Sequence, residues 1–284
     1  YALKNALIHE GKALVNSVLN HLFVEGLQKE NIREILPLIK ETVNKVNSFS
    51  IEQQNKEFEK VEKILKKPEE KSKGLPELPN VKRKPVLRLA PFPSGALHIG
   101  NAKTYLLNAL YAERYKGKLL LIIDDTIGSK EKVIVKEAYK IIPEEVEWLK
   151  IKYKRPIIYK SNRLKIYYRY AEKLIKLNKA YVCSCPQKKL KENREKGIEC
   201  SCRQFPVKEQ LKRWKEIFKS KPGDLTLRIK TDMQNPNPAF RDRVLFRISD
   251  TEHPRVGKKY KVWPLLEFSW AIDDILLKMT HIIR

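Results

Sequence analysis

The sequence predicts an α/β fold: a doubly wound parallel sheet, with a helical segment before it and an inserted α+β subdomain. Three observations support this prediction. Residues 1–80 show helical periodicity, strand and helix patterns alternate over 81–182, and a stretch with all four cysteines interrupts the alternation at 183–261. Such alternation is typical of parallel sheets. Residues 262–284 are expected to return to the incomplete sheet domain, and 284 residues suffice for about two domains.

The first 80 residues are predicted to form a helical appendage. Its apolar side chains recur at three- and four-residue steps, which places them on one helix face: Ile32, Ile35, Leu36, Ile39, Val43 and Val46. Pro37 is expected either to begin a helix or to kink one. Residues 52–71 are rich in charge, which indicates an exposed or loosely held helix. The Gly/Pro stretch 74–80 is the predicted domain boundary.

Strands and helices are then predicted in turn. The strand candidates are 86–89, 118–123 and 157–159, and the helix candidates are 100–116, 130–141 and 164–177. The second strand is a continuous apolar run closed by Asp124 and Asp125, as expected of a buried parallel strand that ends at a site. Further strand-like runs at 225–229 and 244–248 belong to the predicted insertion.

The positive charge is concentrated after residue 80. Lys and Arg number 59 against 34 Asp and Glu, and of the net +25 only +1 lies in residues 1–80. This excess favours a polyanionic partner, most commonly nucleic acid. The alternative is the composition of a generally basic proteome or of a hot habitat. The sequence has neither an apolar run of membrane-spanning length nor a signal-peptide pattern, which predicts a cytoplasmic protein with no membrane partner.

The cysteines form two close pairs within twenty residues, Cys183 with Cys185 and Cys200 with Cys202. Two such pairs can provide the four sulfur ligands of a tetrahedral structural zinc site. Two disulfides are the alternative, which a reducing cytoplasm and the strain of a C-x-C bridge both disfavour. Four thiolates leave no open position on the metal, so a catalytic role is not expected.

A Pro/Gly turn after the first strand brings Gly95, His98 and Gly100 to the start of a helix. Backbone N–H groups and the helix dipole favour a phosphate at such a place. His98 and Asn101 both carry donors suited to an anion. The P-loop and G-x-G-x-x-G patterns are absent from this stretch. On these residues alone, an ordinary strand-to-helix turn with one surface histidine explains the pattern equally well.

Residues 91–102 read Pro-x-Pro-Ser-Gly-x-Leu-His-Ile-Gly-x-Ala. This stretch resembles the first signature of class I aminoacyl-tRNA synthetases, in the form of the glutamyl and glutaminyl enzymes. Other segments resemble the archaeal branch of the glutamyl-tRNA synthetases: 74–80, 124–126, 142–149, 167–175, 228–232, 235–242, 253–255, 268–274 and 280–284. The resemblance covers essentially the whole chain. It implies a Rossmann-like catalytic sheet and an inserted zinc-bearing subdomain that binds the acceptor stem.

The resemblance also implies an activity. L-Glutamate would be joined to the α-phosphate of ATP, with Mg²⁺ on the phosphates, and the glutamyl group would pass to the terminal adenosine of tRNA(Glu). His98 and Asn101 would be the catalytic pair that steadies the triphosphate. The residues implied for ATP are Pro91, Ser94, Gly95, His98, Gly100 and Asn101.

The implied glutamate-binding residues are Arg88, Ala90, Asp124, Leu266 and Arg284. Guanidinium groups bind carboxylates bidentately, and Asp124 would hold the α-ammonium. Arg241 and Arg243 would contact the tRNA backbone. Some residues depart from the family pattern, which bears on rate and pocket geometry: Asn101 for a second His, Phe92 in the first loop, Ile122 before the Asp-Asp pair and Ile127 after Thr126.

The second class I signature, Lys-Met-Ser-Lys-Ser, is absent from these 284 residues. A stable heterodimer is therefore expected, with a second polypeptide carrying that loop and the anticodon-binding domain; an experimental truncation is the alternative. The sheet is expected to expose an unpaired edge. Two other functions compete: glutamylation of a modified tRNA base, and tRNA binding without catalysis.

Overall fold

The computed structural model describes residues 1–62, 74–127 and 133–284. The chain divides into two compact units, Tyr1–Glu77 and Leu78–Arg284. Within the described ranges, none of the helices combines the length and the apolar character that crossing a bilayer requires.

The first unit consists of the helices α1 (Ala2–Ile8), α2 (Val15–Val24), α3 (Ile32–Asn47) and α4 (Ile51–Val61). Its core is built from small and β-branched side chains, namely Ala2, Ala6, Ala13, Val18, Ile39, Val43 and Val46.

Two details of the first unit bear on the sequence predictions. Pro37 lies inside α3, so the expectation that it begins a helix is wrong. The helix continues through it because residues on both sides, Ile35 and Ile39, pack on the core. α4 starts at a reciprocal cap, in which Ser50 Oγ accepts from the Gln53 N–H while Gln53 Oε1 accepts from the Ser50 N–H. Most of the charge-rich stretch beyond α4 lies outside the described residues.

The second unit begins with the predicted parallel sheet. Its strands β1 (Val86–Leu89), β2 (Lys118–Ile123) and β3 (Lys154–Tyr159) are neighbours in that order and all parallel. Helix α5 (Ile99–Arg114) connects the first two strands and α6 (Ala138–Trp148) the next two. The parallel α/β class is confirmed.

The helix predicted over 130–141 is shifted: α6 begins at Ala138 and ends at Trp148. The chain before it is tied to the loop after β1, because the Val135 N–H donates to the Pro93 carbonyl at 2.8 Å. Residues 130–132 lie outside the described ranges.

After β3 comes α7 (Leu164–Lys176), and then an antiparallel sheet of β4 (Ala180–Cys183), β5 (Thr226–Ile229), β6 (Val244–Ile248) and β7 (Val262–Pro264). Helices α8 (Gln187–Lys196) and α9 (Val207–Glu216) lie between β4 and β5 in the chain. The sheet covers residues 180–264, slightly more than the predicted insertion at 183–261. β4 joins it because all four of its residues are buried and pair with β5.

The last helix, α10 (Leu266–Leu276), follows β7 directly and packs against α7. The chain then returns to β1, where the Thr280 N–H donates to the Val86 carbonyl and Thr280 Oγ1 accepts from the Val86 N–H, each at 3.0 Å. The segment after α10 is therefore joined to the start of β1 at Val86.

Candidate active site

Two features that the sequence predicted to form a site lie at the carboxyl ends of the first two strands. The Pro/Gly loop follows β1, and Asp124 follows β2. The Asp124 N–H donates to the Pro91 carbonyl at 2.8 Å, which joins the end of β2 to the loop that follows β1. Pro91 is buried, whereas Ser94 is exposed and Gly95 has a φ of +145°. In parallel α/β sheets, ligands bind at this edge.

His98 caps the amino end of α5. Its Nδ1 accepts from the Gly100 N–H, and Asn101 Oδ1 accepts from the His98 N–H, each at 3.1 Å. A Cβ on Gly100 would lie 2.9 Å from His98 Cε1, so the glycine makes room for the imidazole. His98 Nε2 and Asn101 Nδ2 remain as the donors that these side chains can offer to an anion.

Arg88 is buried, and an internal carboxylate binds it. Its Nε and Nη2 donate to the two oxygens of Asp274 at 2.6 and 3.1 Å. The guanidinium carbon also lies 3.7 Å from the centre of the Trp270 ring. This fork geometry is the strong form of an arginine–carboxylate pair.

Asp124 is also buried and held on both oxygens. Trp270 Nε1 donates to Oδ2 at 2.9 Å, and Thr126 Oγ1 donates to Oδ1 at 3.0 Å. Lys160 Nζ lies 3.5 Å from the same Oδ1.

Lys160 is a fully buried cation just after β3. Its Nζ donates to Ser269 Oγ at 2.8 Å and lies 3.5 Å from the Trp270 ring centre. Burial lowers the pKa of Lys160 to about 8, while the nearby carboxylates of Asp124 and Asp273 oppose that shift. A resident ammonium thus lies beside the carboxylate that was predicted to hold the substrate's ammonium.

Sequence reasoning missed Trp270, Asp274 and Lys160. A signal existed for two of them, since Trp270 and Asp274 follow the predicted pocket residue Leu266 at steps of four along α10 and therefore share a helix face. Leu266 is 47% exposed in the first turn of α10.

Of the other residues predicted to bind glutamate, Ala90 is half-buried directly after β1. Arg284 is exposed and follows Ile283, whose carbonyl accepts from Asn108 Nδ2 of α5 at 3.2 Å. Among the described contacts, none joins Arg284 to Arg88.

Asp125 has a structural role beside the site. The Asp125 carboxylate accepts hydrogen bonds from the Ser161 N–H at 2.8 Å and from Ser161 Oγ at 2.7 Å. It also accepts one from the Tyr139 hydroxyl at 3.0 Å. His253 Nδ1 accepts two backbone N–H groups, so its Nε2 donates to the Asp125 carbonyl at 2.8 Å. Burial lowers the pKa of His253, which favours this neutral form. The segment around His253 is thereby tied to the end of β2.

The four cysteines meet as predicted, with their sulfurs all within 4.8 Å of one another. The Sγ atoms of Cys183 and Cys200 are 3.7 Å apart, close to the roughly 3.8 Å between sulfurs on a tetrahedral zinc with Zn–S bonds of about 2.3 Å. Arg228 Nη1 lies 3.9 and 3.7 Å from these two sulfurs. A hydrogen bond from Cys183, with help from Tyr181 and Arg228, lowers the pKa of Cys200 to about 5. The donor set fits zinc.

Both arginines predicted to contact tRNA have partners within the fold. Arg241 donates to the carbonyls of Asn235, Arg194 and Glu195 at 2.6 to 2.9 Å, which ties the carboxyl end of α8 to the turn at 235. Arg243 pairs with Glu267. Their contact with tRNA stays a prediction.

Comparison with known proteins bears on the family. The profile described as tRNA synthetases class I (E and Q), catalytic domain, matches residues 84–284. The chain belongs to this family. The resemblance on which the sequence prediction rests is confirmed, and β1, β2 and α5 lie within the matched catalytic domain.

Among relatives of this class I family, the chain is 46% identical to the glutamate–tRNA ligase of Thermococcus kodakarensis and 43% identical to that of Methanothermobacter marburgensis. All of the chain aligns, and it spans about half the length of these curated relatives, 51% of each. A crystal structure of a glutamate tRNA ligase from Elizabethkingia meningosepticum matches 70% of the chain and 43% of its own length, with a TM-score of 0.50 and 23% identity. That likeness shows the fold alone.

Proposed function

We propose that the protein containing this chain ligates L-glutamate to tRNA in two ATP-dependent steps, by way of glutamyl-adenylate. The observation that carries this proposal is a convergence at one edge of the parallel sheet. Arg88 of β1 and Asp124 after β2 are buried, and Asp124 is bound to the loop that leads from β1 to the helix amino end with His98 and Asn101. Relatives named glutamate–tRNA ligase align with all of the chain.

Glutamate has one ammonium and two carboxylates, and the site offers charges of both signs. Asp124 would accept the ammonium, and Arg88 would bind the side-chain carboxylate, with Arg284 as its predicted second cation. Because Arg88 and Asp124 are 8% and 3% exposed, their interactions with a ligand are screened less than surface pairs are.

ATP would bind against the amino end of α5. In the first step, an oxygen of the α-carboxylate attacks the α-phosphorus and pyrophosphate leaves with the bonding electrons. His98 Nε2 and Asn101 Nδ2 would donate hydrogen bonds to the phosphate oxygens, where negative charge is greatest. Mg²⁺, which would accompany the triphosphate, supplies further charge neutralisation.

The insertion would serve the second substrate. Zinc held by the four cysteines would stabilise the fold around β4, without a role in the chemistry. The excess positive charge after residue 80 is suited to the acceptor arm of tRNA(Glu). α8 contributes an exposed basic stretch that includes Lys188 and Lys189.

The test is pyrophosphate exchange into ATP, measured on the complete protein that contains this chain, together with any polypeptide that carries the second signature, in the presence of tRNA and either glutamate, glutamine or aspartate. Exchange that requires glutamate supports the proposal. Binding of tRNA without exchange would instead identify an inactive tRNA-binding module. Arg88→Ala is the informative variant, and Arg169→Ala on the exposed face of α7 is its matched control.

A further inference from the structure

Trp270 lies at the centre of the charged groups of the candidate amino-acid site. Its indole N–H donates to Asp124 Oδ2 at 2.9 Å. Its ring centre lies 3.7 Å from the Arg88 guanidinium carbon and 3.5 Å from Lys160 Nζ. One side chain, only 7% exposed, therefore contacts both the predicted carboxylate-binding cation and the predicted ammonium-binding anion.

We propose that Trp270 is a positioning residue that sets both charged ends of this site, one through its indole N–H and the other through its ring face. The inference rests on the proposed function for the identity of the substrate. It adds a residue to which the resemblance assigned no role. The two ends can be separated by experiment because different parts of the indole serve them.

The ammonium end depends on the N–H. Asp124 has one oxygen bound by Trp270 and the other by Thr126, so the carboxylate cannot rotate without breaking a hydrogen bond. The remaining lone pairs then point in fixed directions, ready for a substrate ammonium. Lys160 Nζ lies 3.5 Å from Oδ1 and places a further polar group beside this oxygen.

The carboxylate end depends on the ring. Asp274 grips the Nε and Nη2 edge of Arg88, and the indole lies against the guanidinium. An aromatic face attracts a cation and limits its movement. A guanidinium whose orientation is already set loses less conformational freedom when it binds a substrate carboxylate.

Two variants and two ligands separate these roles. Trp270→Phe loses the N–H but keeps an aromatic face, although a smaller one, whereas Trp270→Leu loses both. L-Glutamate and glutarate, which has the same two carboxylates but no ammonium, are titrated calorimetrically into the intact chain. We expect Trp270→Phe to weaken the binding of glutamate roughly ten-fold, because a hydrogen bond to a charged group is lost. The affinity for glutarate should remain nearly unchanged. Trp270→Leu should weaken the binding of both ligands.

Trp148→Phe is the matched control, because Trp148 is 78% exposed at the end of α6 and should affect neither ligand. Thermal unfolding checks that each variant folds. If a Trp270 variant does not fold, Thr126→Val removes the other hydrogen bond to Asp124 and should selectively weaken glutamate.

Unchanged glutamate affinity in folded Trp270→Phe, or an equal loss for glutarate, would overturn the inference and leave the proposed function standing. A wild-type chain that binds neither ligand would overturn both the proposed amino-acid site and this inference.

Discussion

The variant Lys160→Met tests the buried charges of the candidate site, because Lys160 should make the free energy of unfolding depend on pH. Lys160 is fully buried, and its pKa of about 8 in the folded chain compares with 10.5 for an ordinary lysine. Between these values the unfolded chain holds the proton more tightly, so the free energy of unfolding rises with pH in this window. Below pH 8 both states are protonated and this dependence vanishes. The titration of Lys160 should therefore raise the free energy of unfolding by about 2 kcal/mol between pH 7 and pH 9.5.

The assay is urea unfolding followed by tryptophan fluorescence at several pH values. All four tryptophans lie after residue 80, so the signal reports on the second unit. Titrations shared by wild type and variant cancel in the difference between their unfolding free energies. That difference should change by about 2 kcal/mol from pH 7 to pH 9.5. Lys165→Met, at an exposed position of α7, is the control and should follow the wild type. If the wild type and Lys160→Met respond to pH in parallel, the assignment of a depressed lysine pKa is wrong.

The other expected outcomes concern substrate, metal and RNA. Arg88→Ala should raise the KM for glutamate roughly 100-fold, because a substrate carboxylate loses its charged partner, while calorimetry should find ATP binding unchanged. Elemental analysis should find about one zinc per chain in the wild type and none in Cys200→Ser, and the variant should lose stability first in the antiparallel sheet. Wild-type protein that is folded and reduced but free of metal would contradict this expectation. The double variant Lys188→Ala, Lys189→Ala should weaken tRNA binding and flatten its salt dependence. Arg241→Ala should do the same and should also lower the melting temperature, because Arg241 ties α8 to the turn at 235. If Arg241→Ala leaves the salt dependence of tRNA binding unchanged, the predicted contact of Arg241 with RNA is wrong.

Local patterns in the sequence were sufficient for the elements that depend on neighbouring residues. The apolar run at 118–123 is β2, and the Pro/Gly turn with His98 opens α5. The paired spacing of the cysteines anticipated a cluster whose sulfurs lie within 4.8 Å. Periodicity, turn residues and close ligand pairs act over a few positions, so they can be recognised without a structure.

Local patterns misjudged places where a distant contact sets the boundary. α6 starts at Ala138 instead of 130, after a segment whose Val135 N–H is bound to the carbonyl of Pro93, forty-two residues earlier. Strand β4 belongs to the antiparallel sheet because it pairs with β5, across a gap that contains α8 and α9. Neither partner is adjacent in the chain, so no window of the sequence contains the interaction.

By itself the sequence determined that an arginine precedes the first loop and that a carboxylate ends the second strand. Only the tertiary structure decided what these charges touch. Arg88 binds Asp274 at a separation of 186 residues, Trp270 binds Asp124 across 146, and Lys160 binds Ser269 across 109. The physical reason is that a buried charge must be compensated by whichever polar groups the packed elements bring within about 3 Å, and that set is defined by how α10 packs beside the sheet.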